Sequence, residues 1–184
     1  MRLSKANKPL LILVLCLLGL ALARTTLAGD FTVYASGDKI GFSEGNTFYP
    51  LGIDKEKFLK TFGPPDATSE SYDGRYQLQY FTEGVAITVS EKTNIVWSFN
   101  FMVTPYNKYK AANVQSDKGI RRGASIRNIV VAYGQPTERT DGNLLGVTVT
   151  NLTYKMGDRG AAFEFRNGDL HTMTVYMPQK DNQQ

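Results

Sequence analysis

The chain is short of the residue types on which most enzyme chemistry depends. Its 184 residues include one cysteine, one histidine and one tryptophan. The cysteine, Cys16, sits inside an apolar run near the N-terminus, between Leu15 and Leu17. A lipid-modified cysteine would instead follow a small residue and close the run. Once residues 1–28 are removed, neither a disulfide nor a thiol nucleophile remains. A lone histidine, His171, cannot build a histidine-rich metal centre, and no acidic cluster has the spacing of a calcium loop. Any Ser–His–Asp arrangement would have to use His171. Gly52 and Gly123 precede helical stretches but lack the further glycines and the lysine of a phosphate loop. Asp66, Asp73, Glu83, Asp141 and Asp158 are scattered over expected loops, and nothing selects a catalytic pair. The expectation is therefore no cofactor, no metal and no enzymatic activity.

Acidic residues are absent from the first 28 positions, which hold Arg2, Lys5, Lys8 and Arg24. A basic start, an apolar run over 10–22 and small residues at Ala23 and Ala28 read as a secretory signal peptide. A retained anchor is the alternative, although a span needs about 20 apolar residues. The whole chain has 21 basic and 17 acidic residues, net +4. Without the four basic residues of the leader, 17 of each sign remain and the charge is zero. The basic balance thus belongs to export, and no nucleic-acid surface is expected. The mature chain is expected outside the cytoplasm, in the medium, the periplasm or on the cell surface, with no membrane span. Roughly 155 residues can form one compact unit by burial alone.

The most ordered motif is the stretch 122–137. Ser125 suits an N-cap; Ile126, Ile129, Val130 and Tyr133 form one apolar stripe at helical period. Gly134 can close the helix and Pro136 forbids its continuation. The same device recurs at 51–66: Asp54 caps, Lys55–Phe62 is the body, and Gly63 and Pro65 end it. Gly52, Gly63 and Pro65 match Gly123, Gly134 and Pro136. Strand-like runs follow each helix: 75–82, Val85–Ser90 and 95–104 after the first, and 144–156, 160–166 and 170–177 after the second. In front stands a small hairpin, Phe31–Ala35 with 39–42. Residues 64–73, 106–116 and 137–143 read as connections, and Gly146 as a bend within the long strand. The expected fold class is α+β: two tandem repeats, each a short helix packed on a three- to four-stranded antiparallel sheet. The expected units are 29–105, 106–178 and a polar tail at 179–184.

Apolar residue, glycine, capped short helix, aromatic-Gly-x-Pro and three strands form a pattern here carried by Leu51-Gly52…Phe62-Gly63-Pro64-Pro65 and Arg122-Gly123…Tyr133-Gly134-Gln135-Pro136. It resembles the SmpA/OmlA-like repeat and the related tandem repeat of beta-lactamase inhibitory proteins. The resemblance implies an extracytoplasmic bacterial protein whose curved sheet receives another protein on its open face. Those inhibitors carry disulfides, which this mature chain lacks.

Period two assigns the faces. Leu78 and Tyr80, then Val85, Ile87 and Val89, then Ile95, Trp97, Phe99, Phe101 and Val103 are expected to face the core. His171 matches Trp97 on a buried-type face and is expected to have a packing or strand-edge role. The opposite, wet face carries Gln77, Gln79, Phe81, Thr88, Asn100, Met102, Glu164, Arg166, Thr174 and Tyr176. Apolar residues on a wet sheet face suit a protein-binding surface, so these ten are the expected partner-binding residues. The leading function is recognition of a partner protein, inhibition being one form of it. The alternative is a structural or assembly factor of the bacterial cell envelope. A hydrolase using His171 or a loop carboxylate is a third reading.

Overall fold

The computed structural model describes residues 30–178. Residues 1–29 and 179–184, where a signal peptide and a polar tail are expected, lie outside the described residues. The fold is mixed α and β, mostly sheet, with two helices and two sheets among the described residues.

Both helices run between the stops read in the sequence. Helix α1 is Lys55–Phe62; the Asp54 carboxylate accepts from the Lys57 N–H at 3.1 Å, and Glu56 lies in the first turn. Helix α2 is Ile126–Tyr133. Ser125 and Asn128 form a reciprocal capping box at its start. Gly63 (φ 100°) and Gly134 (φ 81°) close the helices from backbone regions that side chains disfavour. A second tie recurs beside each stop. The Tyr80 hydroxyl donates to the Gly63 carbonyl at 2.9 Å, and the Tyr154 hydroxyl donates to that of Gly134 at 3.1 Å.

The strands are β1 Phe31–Ala35, β2 Ile40–Glu44, β3 Thr47–Pro50, β4 Ala67–Thr68, β5 Arg75–Tyr80, β6 Val85–Ser90, β7 Val96–Met102, β8 Val114–Ser116, β9 Glu138–Leu144, β10 Val147–Met156, β11 Arg159–Arg166 and β12 Asp169–Tyr176. The larger sheet has eight strands in the order β4-β5-β6-β7-β12-β11-β10-β9. It is one continuous sheet rather than two separate ones. The strands after α1 and those after α2 join edge to edge through the antiparallel pair β7–β12. The front hairpin is more than an appendage. It grows into a four-stranded sheet, β3-β2-β1-β8, with β8 parallel to β1. The three stretches read as connections, 64–73, 106–116 and 137–143, thus contain strands β4, β8 and most of β9, and β3 extends the front hairpin. Gly146 is a turn, not a bend. With Leu145 it makes a two-residue hairpin turn, both residues at positive φ.

The core lies between the two sheets and under the helices. Phe42 packs its ring against Phe99 at 4.8 Å and Phe101 at 5.2 Å, and Phe58 stacks on Phe62 at 4.9 Å. On the other half, Tyr133 from α2 meets Phe163 at 5.3 Å, and Ile129 is fully buried. Asp117 joins the small sheet to α2: it accepts from the Ser36 hydroxyl at 2.9 Å and from the Tyr133 hydroxyl at 2.7 Å.

Two register shifts correct the face assignment. Thr88 pairs with Ser98 but Val89 pairs with Val96, so Trp97 is left over as a bulge. Glu164 pairs with Thr172 but Phe165 pairs with Leu170, which leaves His171 over in the same way. An extra residue shifts the period by one. Val96 therefore takes the core position, and neither Trp97 nor His171 joins the core cluster. Trp97 lies half-buried, with the Arg75 guanidinium 3.6 Å from its ring centre. The two bulges also answer each other across the seam. The Met177 N–H donates to the Trp97 carbonyl, and the Val103 N–H to the His171 carbonyl, both at 2.9 Å.

Phe99 is wholly buried, and Phe99→Ala is expected to destabilise by about 3–5 kcal/mol. Trp97→Ala removes a cation–π pair on the opposite face and should lose about 0.5–2 kcal/mol. Urea denaturation followed by circular dichroism separates the two. Equal losses would place Trp97 back in the core.

Candidate functional site

The face of the large sheet turned away from both helices is ordered by strand register. One row runs Gln77, Thr88, Ser98, Tyr176. The next runs Gln79, Ala86, Asn100, Thr174, Ala162, and a third runs Met102, Thr172, Glu164, Asn151. Eight of the ten expected partner-binding residues fall in these rows. Arg166 lies two residues beyond Glu164 on the same strand face. Phe81 lies just past the end of β5, its ring 5.0 Å from Tyr109.

Hydroxyls and amides tie the rows together. The Thr174 hydroxyl donates to Asn100 Oδ1 at 3.0 Å across the β7–β12 seam, and the Ser98 hydroxyl donates to Thr88 Oγ1 at 2.8 Å. Tyr176 lies over Gly160. A Cβ at Gly160 would come within 2.6 Å of the tyrosine ring, so the glycine lets the ring lie against the sheet. At the related position just before β6, a Cβ at Gly84 would meet the backbone of Lys110 and Ala112. The connection after β7 therefore runs close over that strand.

Beside the seam the face sinks into a cavity of about 230 Å³. Asn100, Met102, Glu164, Arg166 and Thr174 line it, five of the ten expected residues. Gln77 and Thr88 line a separate hollow of about 300 Å³ with Arg75. Gln79, Phe81 and Tyr176 line neither of these hollows. Met102 was expected on the wet surface, but it is 7% exposed and belongs to the cavity wall.

Five residues outside the expected set, Asn151, Ala162, Thr172, Tyr106 and His171, complete the cavity. Tyr106, from the connection after β7, and His171, from the bulge in β12, both line it. The Tyr106 and His171 rings meet edge to face at 5.3 Å, and the Arg166 guanidinium lies 4.4 Å from the centre of the Tyr106 ring. The Nε of Arg166 donates to Glu164 Oε1 at 2.6 Å. Thr104 Oγ1 lies 2.5 Å from His171 Nδ1. The other ring nitrogen, Nε2, is buried and has no hydrogen-bond partner. A buried polar atom left unpaired is uncommon and destabilising, so this one marks the cavity. Only the correspondence of His171 with Trp97 pointed here, since it predicts that whatever displaces one displaces the other.

Larger hollows lie elsewhere. One of about 510 Å³ and one of about 600 Å³ share Arg121 and Arg122, both exposed. Neither is lined by His171. Among the described residues no group of three or more His, Cys, Asp or Glu could hold a metal. Among the same residues no helix is long and apolar enough to cross a membrane.

No family model matches the chain, and none of the curated proteins matches it. Among solved structures it is similar to a DUF4309 family protein, YjgB, from Bacillus subtilis subsp. subtilis str. 168. That likeness has 9% identity and a TM-score of 0.45 over 68% of this chain and 78% of that one. It is also similar to a cysteine-rich secretory protein from Staphylococcus aureus subsp. aureus Mu50. Identity there is 13% and the TM-score 0.47, over 69% of this chain and 44% of that one.

Burial lowers the His171 pKa from its ordinary value; the Arg166 charge adds to this and Glu164 opposes it. The unfolded chain binds a proton near pH 6.5 that the folded chain refuses until lower pH. The stability linked to His171 is therefore complete above about pH 6.5 and is lost as pH falls below it. Urea midpoints between pH 8 and pH 5 should fall in the wild type and fall less in His171→Asn. Parallel curves would show that His171 titrates as in the unfolded chain.

Proposed function

We propose that this chain is an exported binding module that recognises a partner protein on the open face of its eight-stranded sheet. The observation that carries the reading is the His171 cavity, set among rows of amides, hydroxyls and half-buried aromatics. Protein interfaces have a small desolvated centre ringed by polar groups, and Tyr, Trp and Arg are favoured there. Tyr106, Arg166 and Trp97 supply those types on one face. Inhibition is one form such recognition would take. Export rests on the basic start and apolar run of residues 1–22.

The same reading takes the two halves as copies of one unit of the SmpA/OmlA-like type. It is supported by the two capped helices with glycine stops and by the matching tyrosine-to-carbonyl ties at Gly63 and Gly134. The paired bulges at Trp97 and His171 support it further. Duplication would give the open face its arrangement, with both halves facing one partner across the seam.

Affinity capture from the source organism's envelope extract and medium tests the function. Arg166→Glu combined with Tyr176→Ala should lose the proteins that wild type retains, while the far-ultraviolet circular dichroism stays unchanged. An identical captured set would remove the open face from the binding surface.

A further inference from the structure

We propose that the His171 cavity is a socket for one side chain, the carboxamide of an asparagine or glutamine projecting from the bound partner. This rests on reading the open face as a protein-binding surface. Size is the first constraint. At about 230 Å³ the cavity falls below the roughly 300–1,000 Å³ typical of small-molecule sites. It has room for a side chain.

Charge is the second. Arg166 is the one cation lining the cavity and Glu164 the one acid, and they are bonded to each other. The remaining lining residues are uncharged at neutral pH, His171 among them. An entering carboxylate or ammonium would give up its water and meet no net opposite charge. The cavity therefore selects an uncharged group.

Hydrogen bonding is the third. His171 Nε2 lacks a partner and is shut off from water, so an entering group reaches it only by displacing a side chain of the cavity wall; whether it donates or accepts follows from which of Thr104 and Nδ1 carries the shared proton. A carboxamide offers both a carbonyl acceptor and an N–H donor, so it satisfies either tautomer. A carboxylate only accepts and an ammonium only donates. Asn151 presents a second amide whose side chain has no hydrogen-bond partner among the described residues, ready to pair with the other end of the group. Met102 and the Tyr106 ring give the methylene stem an apolar wall.

His171 is the only histidine, so its ring signals in nuclear magnetic resonance report the cavity without ambiguity. The full exported chain is titrated with propionamide, propionate, propylammonium and N-acetylglucosamine. Propionamide should shift the His171 ring signals saturably. It should bind at least tenfold more tightly than either ion and leave the imidazole neutral. Asn151→Ala keeps the reporter ring and should weaken propionamide at least fivefold. His171→Phe should abolish the shifts of neighbouring amides; if that variant does not fold, Asn151→Ala decides. Tighter binding of propionate with a rise in the His171 pKa overturns the proposal, as does the absence of any response. Tighter binding of N-acetylglucosamine than of propionamide overturns the assignment to a protein side chain. The titration needs no partner, so a silent cavity beside intact partner capture sinks the socket alone. Saturable propionamide binding with partner capture unaffected by the open-face variants sinks the protein partner as its source.

Discussion

The antiparallel pairing of β7 with β12 is the constraint on which the molecule's open sheet face depends. Thr172 to Tyr176 lie opposite Met102 to Ser98, and Thr174 donates to Asn100 across the join. Without that pairing each half would present a four-stranded sheet with a long unpaired edge, a template for unwanted association. With it, the residues of two distant parts of the chain become neighbours in continuous rows. The cavity exists only because of the seam: Asn100 and Met102 come from one side, and Glu164, Arg166, His171 and Thr174 from the other.

The seam holds because the opposite face is filled with rings. Phe31, Phe42, Phe58, Phe62, Phe99 and Phe101 are all essentially inaccessible to water. Edge-to-face packing among them adds to the transfer of apolar area. The small sheet supplies Phe31 and Phe42, so it acts as a lid on the first half of the large one. On the second half α2 takes that place with Ile129 and Tyr133. The difference explains why β9 is solvated throughout: nothing reaches over it.

Local signals were legible and pairing was not. Caps, an apolar stripe and a glycine stop are written within a dozen residues, and both helices follow them. Period two placed Val85, Ile87 and Val89 in the core and put Asn100, Glu164 and Thr174 on the open face. It failed at Trp97 and His171, because one unpaired residue inverts the faces of what precedes it and leaves no compositional trace. Strand β9, Glu-Arg-Thr-Asp-Gly-Asn-Leu, shows no alternation because both its faces are wet, so it read as a loop. For the candidate site, parity found five cavity residues. It left out Asn151, Ala162 and Thr172, which lie in the same open-face rows, and it missed Tyr106, which sits in a connection without periodic pattern, and His171, whose bulge is set by its neighbours across the ladder rather than by its own sequence.

The parallel pair β1–β8 has a bearing on how the chain folds. Strand β1 opens the described chain, yet its neighbour arrives only after both sheet hairpins of the first half have been made, 83 residues later at the Asp30–Asn113 tie. A growing chain stopped anywhere short of residue 114 has no strand for that edge of β1. The first half thus lacks the strand that completes its small sheet, despite holding a helix, a hairpin and four strands of the large sheet. Closing so long a loop is entropically unfavourable until the aromatic core compensates, which raises contact order and slows folding.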